Sequence, residues 1–367
     1  MRTLRKTRLL KILAMFSPTI FFISLYGIFY CHTNPSMLPD PVNGRIPIIT
    51  KISTDYFHVE LDFTSNTAIC QTNDYLIIYI LSTAQNIDRR NLVRSTWASK
   101  RTGVCFVFIL GQVVDSPLDT QMKINEEKKL HQDIVQINHN ESYANVVYKE
   151  VATLQWSQYF YPSIPYLFKT DDDLIGDAIL VASIAHLLIT NVTSDDLVIA
   201  KYRLELISDI QSSNRTSFFR GWSTDSQPTV RGDPKFGVSE EVWPYPTLPL
   251  YCSGFGWLMS NYVRDQLVNA SLTYPPNKII WIGDVFVSGF VAKEANVKCT
   301  GMPVDYEQTA SANCSCLMKN NPMIIVCSSS FHAGGGGTEL EIYNEYRRAW
   351  RVIQLRHNST KFTNIDC

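Results

Sequence analysis

The stretch PYLFKTDDDLIGD, residues 165–177, sets Asp171, Asp172 and Asp173 side by side directly after an apolar run. Three like charges at this spacing repel unless a cation or hydrogen-bond donors offset them. Their place in the chain bears on the choice. The apolar run reads as a buried strand, and open α/β sheets put their ligands at the carboxyl ends of strands. Carboxylates there could hold a hard divalent ion, and oxygen donors suit magnesium or manganese. The competing role is an acidic turn that caps the next helix. A calcium loop of the EF-hand type does not fit, because its spacing and closing Glu are missing.

Four other stretches carry residues of chemical interest. In DRRNLVRSTW, 88–97, Arg90 and Arg94 lie four apart and share a helix face. Guanidinium groups match phosphate oxygens and stack on flat rings, although an exposed basic face is the plainer reading. LPLYCSGFGWLMS, 248–260, interleaves Gly254 and Gly256 with Phe255 and Trp257, just after Tyr251. Glycine admits close approach of a ligand or backbone, and aromatic faces stack on sugars or bases. A bulged core strand would look the same. In KIIWIGDVFVSGF, 278–290, Asp284 is a lone acid between apolar runs. It is either paired structurally or held half-buried with a raised pKa, ready to act as a base. His332, in SSSFHAGGGG, is a ligand or a structural histidine. The glycines after it lack the pattern of a phosphate loop and read as a flexible turn.

These residues need elements to hold them. YLIIYILST (75–83), CFVFILG (105–111), PYLFK (165–169) and DLVIAKY (196–202) read as buried strands. DRRNLVRSTWASK, the stretch 145–160 and AILVASIAHLLIT (178–190) have helical spacing. The alternation predicts an α/β domain with a mostly parallel sheet. TELEIYNEYRRAWRVIQLR closes the chain as an amphipathic helix, with Thr338 and Glu341 spaced as a capping box.

The N-terminus predicts the compartment. Residues 1–11 carry five basic residues and no acid, and 12–31 run without a charge. About 20 apolar residues cover a bilayer core as a helix. The basic flank is expected to stay cytoplasmic, making 12–31 a signal-anchor and everything after it lumenal. A cleaved signal peptide would have a shorter apolar core and a small-residue cleavage site. Residues 32–70, with Pro35, Pro39, Pro41 and Pro47, read as a stem, and 71–367 as the catalytic domain. Asn140, Asn191, Asn214, Asn269, Asn313 and Asn358 each begin a glycosylation sequon, and nine cysteines suit an oxidising compartment. The pairing of the eight cysteines after Cys31 is open, with a free buried cysteine as the plainer alternative for Cys105, inside a strand. A net charge of −1, with no basic block beyond the tail, argues against nucleic acid as a partner.

Six stretches, in this order, carry a family resemblance: RRNLVRSTW, FVFILG, EEKKLHQDIVQINHNESYANVV, KTDDD, YCSGFGWLMS and GDVFVSG. Over about Tyr75 to Trp350 the chain resembles the β-1,3-galactosyl- and N-acetylglucosaminyltransferases of the Golgi, relatives of the Fringe glycosyltransferases. The resemblance implies a GT-A fold, a Rossmann-like nucleotide-sugar half merged with an acceptor half. It implies a single-pass Golgi membrane enzyme that moves a hexose or N-acetylhexosamine from a UDP-sugar, with inversion, to a 3-hydroxyl of a glycoprotein or glycolipid glycan. It leaves dimerisation open. By the same resemblance, Asp173 and His332 would hold Mn2+, while Asp171, Asp172, Arg90 and Arg94 would contact the donor. Trp257 and Tyr251 would face the acceptor, and Asp284 would act as general base, worth about 10²–10⁴-fold in rate. Two departures stand out. Gly283 replaces the Glu that precedes the base in the family, and DDDLIGD lacks the usual V-[FY]-V-N after the acids. The first departure motivates the alternative, a degenerate relative that binds glycan or partner transferases without catalysis.

Overall fold

The computed structural model describes residues 69–113, 118–190, 204–225, 227–309, 313–331 and 337–358. The expected tail, signal-anchor and nearly all of the stem lie outside these residues. So do His332, Asn191 and the strand expected at 196–202. Among the described residues no helix is long and apolar enough to cross a membrane.

In chain order the described part runs β1 (Leu76–Leu81), α1 (Ile87–Ser95), β2 (Val104–Gln112), α2 (Leu118–His131), β3 (Ile134–Asn140), α3 (Val146–Phe160), β4 (Tyr166–Asp171), β5 (Leu174–Gly176), α4 (Ala178–Ile189) and α5 (Leu204–Ser212). Then come β6 (Phe219–Thr224), β7 (Tyr251–Ser260) and α6 (Asn261–Leu272). Next is α7, a continuous run of an α-turn (Gly283–Val285), a π-helix (Phe286–Val291) and a second α-turn (Ala292–Glu294). The chain ends in β8 (Thr300–Gly301), β9 (Asp305–Glu307), α8 (Cys314–Asn320), β10 (Ile324–Ser328) and α9 (Glu339–Asn358).

Seven strands form a mixed sheet in the order β3-β2-β1-β4-β7-β6-β8, and β5-β10-β9 form a second small sheet. In the large sheet β7 alone runs against the others, antiparallel to both β4 and β6. The mostly parallel sheet is thus present, with one reversed strand that the sequence pattern did not reveal. All six residues of β1 are buried, which fits a strand covered on both faces. Its side chains alternate between two cores. Leu76, Ile78 and Ile80 pack with α1, α4 and α9 on one face, and Ile77, Tyr79 and Leu81 with α3, α6 and α7 on the other.

Local signals explain several boundaries. The helix after the acidic triplet is capped by Asp177, whose carboxylate accepts from the Leu180 N–H at 2.9 Å, so capping is not the work of the triplet. Thr338 and Glu341 form the expected capping box, with reciprocal bonds of 2.6 and 3.3 Å. Cys105 is not free: it is bonded to Cys70, which fastens the end of the expected stem to β2. Cys252–Cys299 and Cys314–Cys327 are the other described pairs.

Candidate functional site

A cleft of about 640 Å³ opens over the carboxyl end of β4 and the start of β7. Because β7 is antiparallel to β4, with Lys169 opposite Trp257, its N-terminal residues lie beside the acids that end β4. Sequence-distant Asp171 and Gly254 are brought together by that one reversal.

The three acids take different surroundings, since successive side chains at a strand end point to different sides. Asp172 is buried and accepts from Ser82 Oγ (2.6 Å), Asn86 Nδ2 (3.0 Å) and Arg89 Nη1 (3.1 Å). Burial raises its pKa, opposed by Arg89. Asp171 is paired with Lys169 at 2.9 Å. Burial pushes it up to about 6 against the pull of Lys169, and Asp173 adds to the rise. Asp173 is half-buried in the cleft wall, its backbone carbonyl held by Ser329 Oγ at 2.5 Å. Among the described residues these carboxylates do not bring three ligand atoms within 4.8 Å of one another. Cys70, Asp74 and Cys105 do, but two of those sulfurs are already bonded to each other. Asp173, also in the cleft wall, carries oxygen atoms of the kind a hard cation takes.

The two arginines expected at the donor sit elsewhere. Arg90 is 0% exposed and forks onto Glu127 at 2.8 and 2.6 Å, with further bonds to Ser82 Oγ and the Thr83 carbonyl. Arg94 pairs with Asp133 and Glu127 at 2.7 Å each. Their shared face looks toward α2 and the start of β3, where these acids neutralise it, and neither lines the cleft. Arg89 does. It lies about 100° around the helix from Arg90, binds Asp172 and stacks 4.3 Å from the Phe331 ring centroid. Spacing alone could not say which arginine of this helix faces the acids.

Across the cleft floor a chain of bonds joins the acids to Asp284. Lys169 is 2% exposed and its Nζ donates to the Gly254 carbonyl at 2.5 Å. The Gly254 N–H in turn donates to Asp284 Oδ2 at 2.8 Å. A Cβ on Gly254 would lie 3.2 Å from the Lys169 ammonium, so a side chain there would push the ammonium back by a few tenths of an ångström. Burial opposes the Lys169 charge, but Asp171 and Glu150 outweigh it and raise its pKa. Asp284 itself is half-buried in the cleft wall. Burial raises its pKa, opposed by Lys169 and by the N–H groups of Gly254 and Val285. Its helix is tied to β7 by Ser288 Oγ, which accepts the Cys252 N–H and lies 2.6 Å from the Asp284 carbonyl. The π-helical turn that follows Asp284 is a form often found at functional sites.

Trp257, expected against the acceptor, is 0% exposed and lies under Lys169, 5.3 Å from Nζ to ring centroid. It has no free face, because position 257 points into the core beneath the sheet. Tyr251 does line the cleft. So do three aromatics the sequence reading passed over: Tyr143, Phe236 and Trp281. Lys235 bridges Tyr143 and Phe236 at 5.0 and 4.9 Å, and its carbonyl accepts from Trp281 Nε1. Lys169 was also passed over, although a lysine inside an apolar strand is itself a signal. Of the sequons, Asn140, Asn214, Asn269 and Asn313 are exposed, and Asn358 falls in the last turn of α9.

The family model described as Galactosyltransferase matches residues 88–303, from α1 through β8. The chain belongs to this galactosyltransferase family. It is 26% identical over 233 residues to the beta-1,3-galactosyltransferase 5 of Pan paniscus, an alignment covering 62% of this chain and 67% of that one. It is 28% identical to the UDP-GlcNAc:betaGal beta-1,3-N-acetylglucosaminyltransferase 7 of Rattus norvegicus, over 63% of this chain and 54% of that one. A third galactosyltransferase-family relative, the UDP-GalNAc:beta-1,3-N-acetylgalactosaminyltransferase 1 of Rattus norvegicus, is 27% identical over 52% of each chain. The chain thus spans between about half and two thirds of these relatives. Among solved structures, the galactosyltransferase LgtC, in complex with donor and acceptor sugar analogues, aligns with a TM-score of 0.36 and 8% identity, covering 78% of this chain and 97% of its own.

Proposed function

We propose that the chain is an inverting β-1,3-hexosyltransferase of GT-A type that uses a UDP-sugar and extends a glycoprotein or glycolipid glycan. The observation that carries this is the Asp171–Lys169–Gly254–Asp284 chain, which links the acids of β4 to a half-buried carboxylate in the wall of the same cleft. In this reading Asp171, Asp172, Asn86 and Arg89 hold the donor, with Arg89 in the role first expected of Arg90 and Arg94. Asp284, its oxygens oriented by Gly254 and Val285, takes the proton from the acceptor hydroxyl as it attacks the anomeric carbon from the face opposite the diphosphate. Inversion in one displacement needs no covalent nucleophile. Asp173 and His332 would hold Mn2+, which when bound neutralises charge on the departing diphosphate. Tyr143, Phe236, Trp281 and Tyr251 offer flat apolar faces to the acceptor sugar. The relatives' three different donors, galactose, N-acetylglucosamine and N-acetylgalactosamine, leave the sugar to experiment. The basic tail, the uncharged 12–31 and the sequons support a type II Golgi membrane protein.

The test is a donor screen with the full chain in detergent. UDP release from each UDP-sugar is followed with manganese and with EDTA, beside Asp284→Asn. Metal-dependent release from one donor, lowered at least ~10²-fold by the substitution, is expected. No release from any donor, with no binding of UDP, would sink the transferase reading.

A further inference from the structure

Gly283 leaves the base without the acidic neighbour that the resembled motif carries, yet the space over it is filled by an acid. A Cβ built on Gly283 would lie 3.1 Å from Glu150 Oε1, 3.2 Å from Glu150 Cδ and 3.1 Å from Val146 Cγ1. Contacts this tight mean that a side chain at 283 and the carboxyl of Glu150 compete for one volume. Glu150 comes from the second turn of α3, far away in sequence, and is 1% exposed. Its Oε1 is 3.9 Å from Lys169 Nζ, the ammonium that holds Asp171 and the Gly254 carbonyl. Its Oε2 is buried without a hydrogen-bond partner. A buried acid with an orphaned oxygen is costly to keep, and such a group in a cleft wall points to a role beyond packing.

We propose that Glu150 is the positioning acid of the base site, delivered from helix α3 into the volume that Gly283 vacates. It acts through Lys169, whose ammonium sets the Gly254 peptide, whose N–H in turn orients Asp284. The proposal rests on the reading of Asp284 as general base. The electrostatics agree with the geometry. Burial pushes Glu150 up to about 8, against the pull of Lys169 and Lys149, while Asp284 and Asp171 add to the rise. Tyr79 of β1 also faces it, as a neutral phenol raised well above its usual value by burial, with Glu150 adding to the rise. At neutral pH the carboxyl is therefore mostly uncharged, and the Lys169 charge stays committed to Asp171 and Gly254.

The test uses the full chain and the donor that the screen above selects, with four variants: Glu150→Ala, Glu150→Gln, Gly283→Glu and the double Glu150→Ala/Gly283→Glu. Glu150→Ala is expected to lower kcat at least tenfold with the donor KM within twofold, and Glu150→Gln to recover part of that loss. The wild type is expected to show a change in kcat near pH 8 that Glu150→Gln lacks. Gly283→Glu alone should be impaired, and the double variant should exceed both single ones in kcat. Melting curves separate a folding defect from a kinetic one. A double variant no better than the product of its singles, or a Glu150→Ala enzyme as active as wild type, would overturn the proposal. A wild type inactive on every donor would instead overturn the transferase reading beneath it.

Discussion

At the scale of single residues the site turns on burial against pairing. Asp284 is a carboxylate in a half-buried wall, and the two backbone N–H groups and Lys169 that favour its charge do not outweigh the loss of water. Its folded pKa lies above the ordinary value near 4, so Asp284 holds its proton to a higher pH than an exposed aspartate would. In the proposed role as base, Asp284 makes kcat/KM fall as pH drops through that raised pKa, because its protonated form cannot accept the hydroxyl proton. A pH–rate profile should place this acid limb above the usual aspartate range. A limb at or below pH 4 would remove Asp284 as the titrating base. Residue-level reasoning identified the acids from charge density alone. Arg90, Arg94 and Trp257, placed at donor and acceptor by the resemblance, do not line the cleft, and helix and strand periodicity give relative facing without saying which face meets it.

At the scale of elements, two strands and one helix join the β4 acids to Asp284, while α1 and α3 bring Arg89 and Glu150 to the same cleft. β4 ends in the acids, β7 runs back against it, and α7 starts at Gly283, with Asp284 as its second residue. Ser288 couples α7 to β7 through the Cys252 peptide, and the Cys252–Cys299 disulfide anchors the same point. Ser288→Ala should leave the buried Cys252 N–H without its partner, at about 1–3 kcal/mol in denaturant unfolding. Because Ser288 touches nothing at the acids, kcat should fall while the donor KM stays unchanged. A rise in KM alone would place the coupling elsewhere. The segment 278–290 reads in sequence as apolar runs around one acid, with neither helix nor strand assigned. From Gly283 on it is helical and buried nearly all round, and periodicity does not distinguish a helix from a strand when every side is buried.

At the scale of the whole molecule, the proposed reading has a diphosphate, held through a divalent ion, tie β4 to the rest of the fold. UDP at 100 times its dissociation constant should add about 2.7 kcal/mol to the stability of the full chain in manganese. Thermal unfolding should show that gain, and EDTA should remove it. An equal gain in EDTA would mean that the acids bind the nucleotide without a metal.

The sequence by itself determined the family motifs in order, the buried strands β1, β2 and β4, the helices α1, α3, α4 and α9, and the acids at a strand end. These are local: hydrophobic runs, caps and charge spacing act over a few residues and survive without tertiary context. Only the tertiary structure decided that β7 is reversed, that Arg89 and not Arg90 faces Asp172, that Lys169 joins Asp171 to Asp284, and that Glu150 fills the space over Gly283. Each of those depends on which distant segment packs against which face. That choice is made by burial across the whole sheet, where no short window of sequence carries the information.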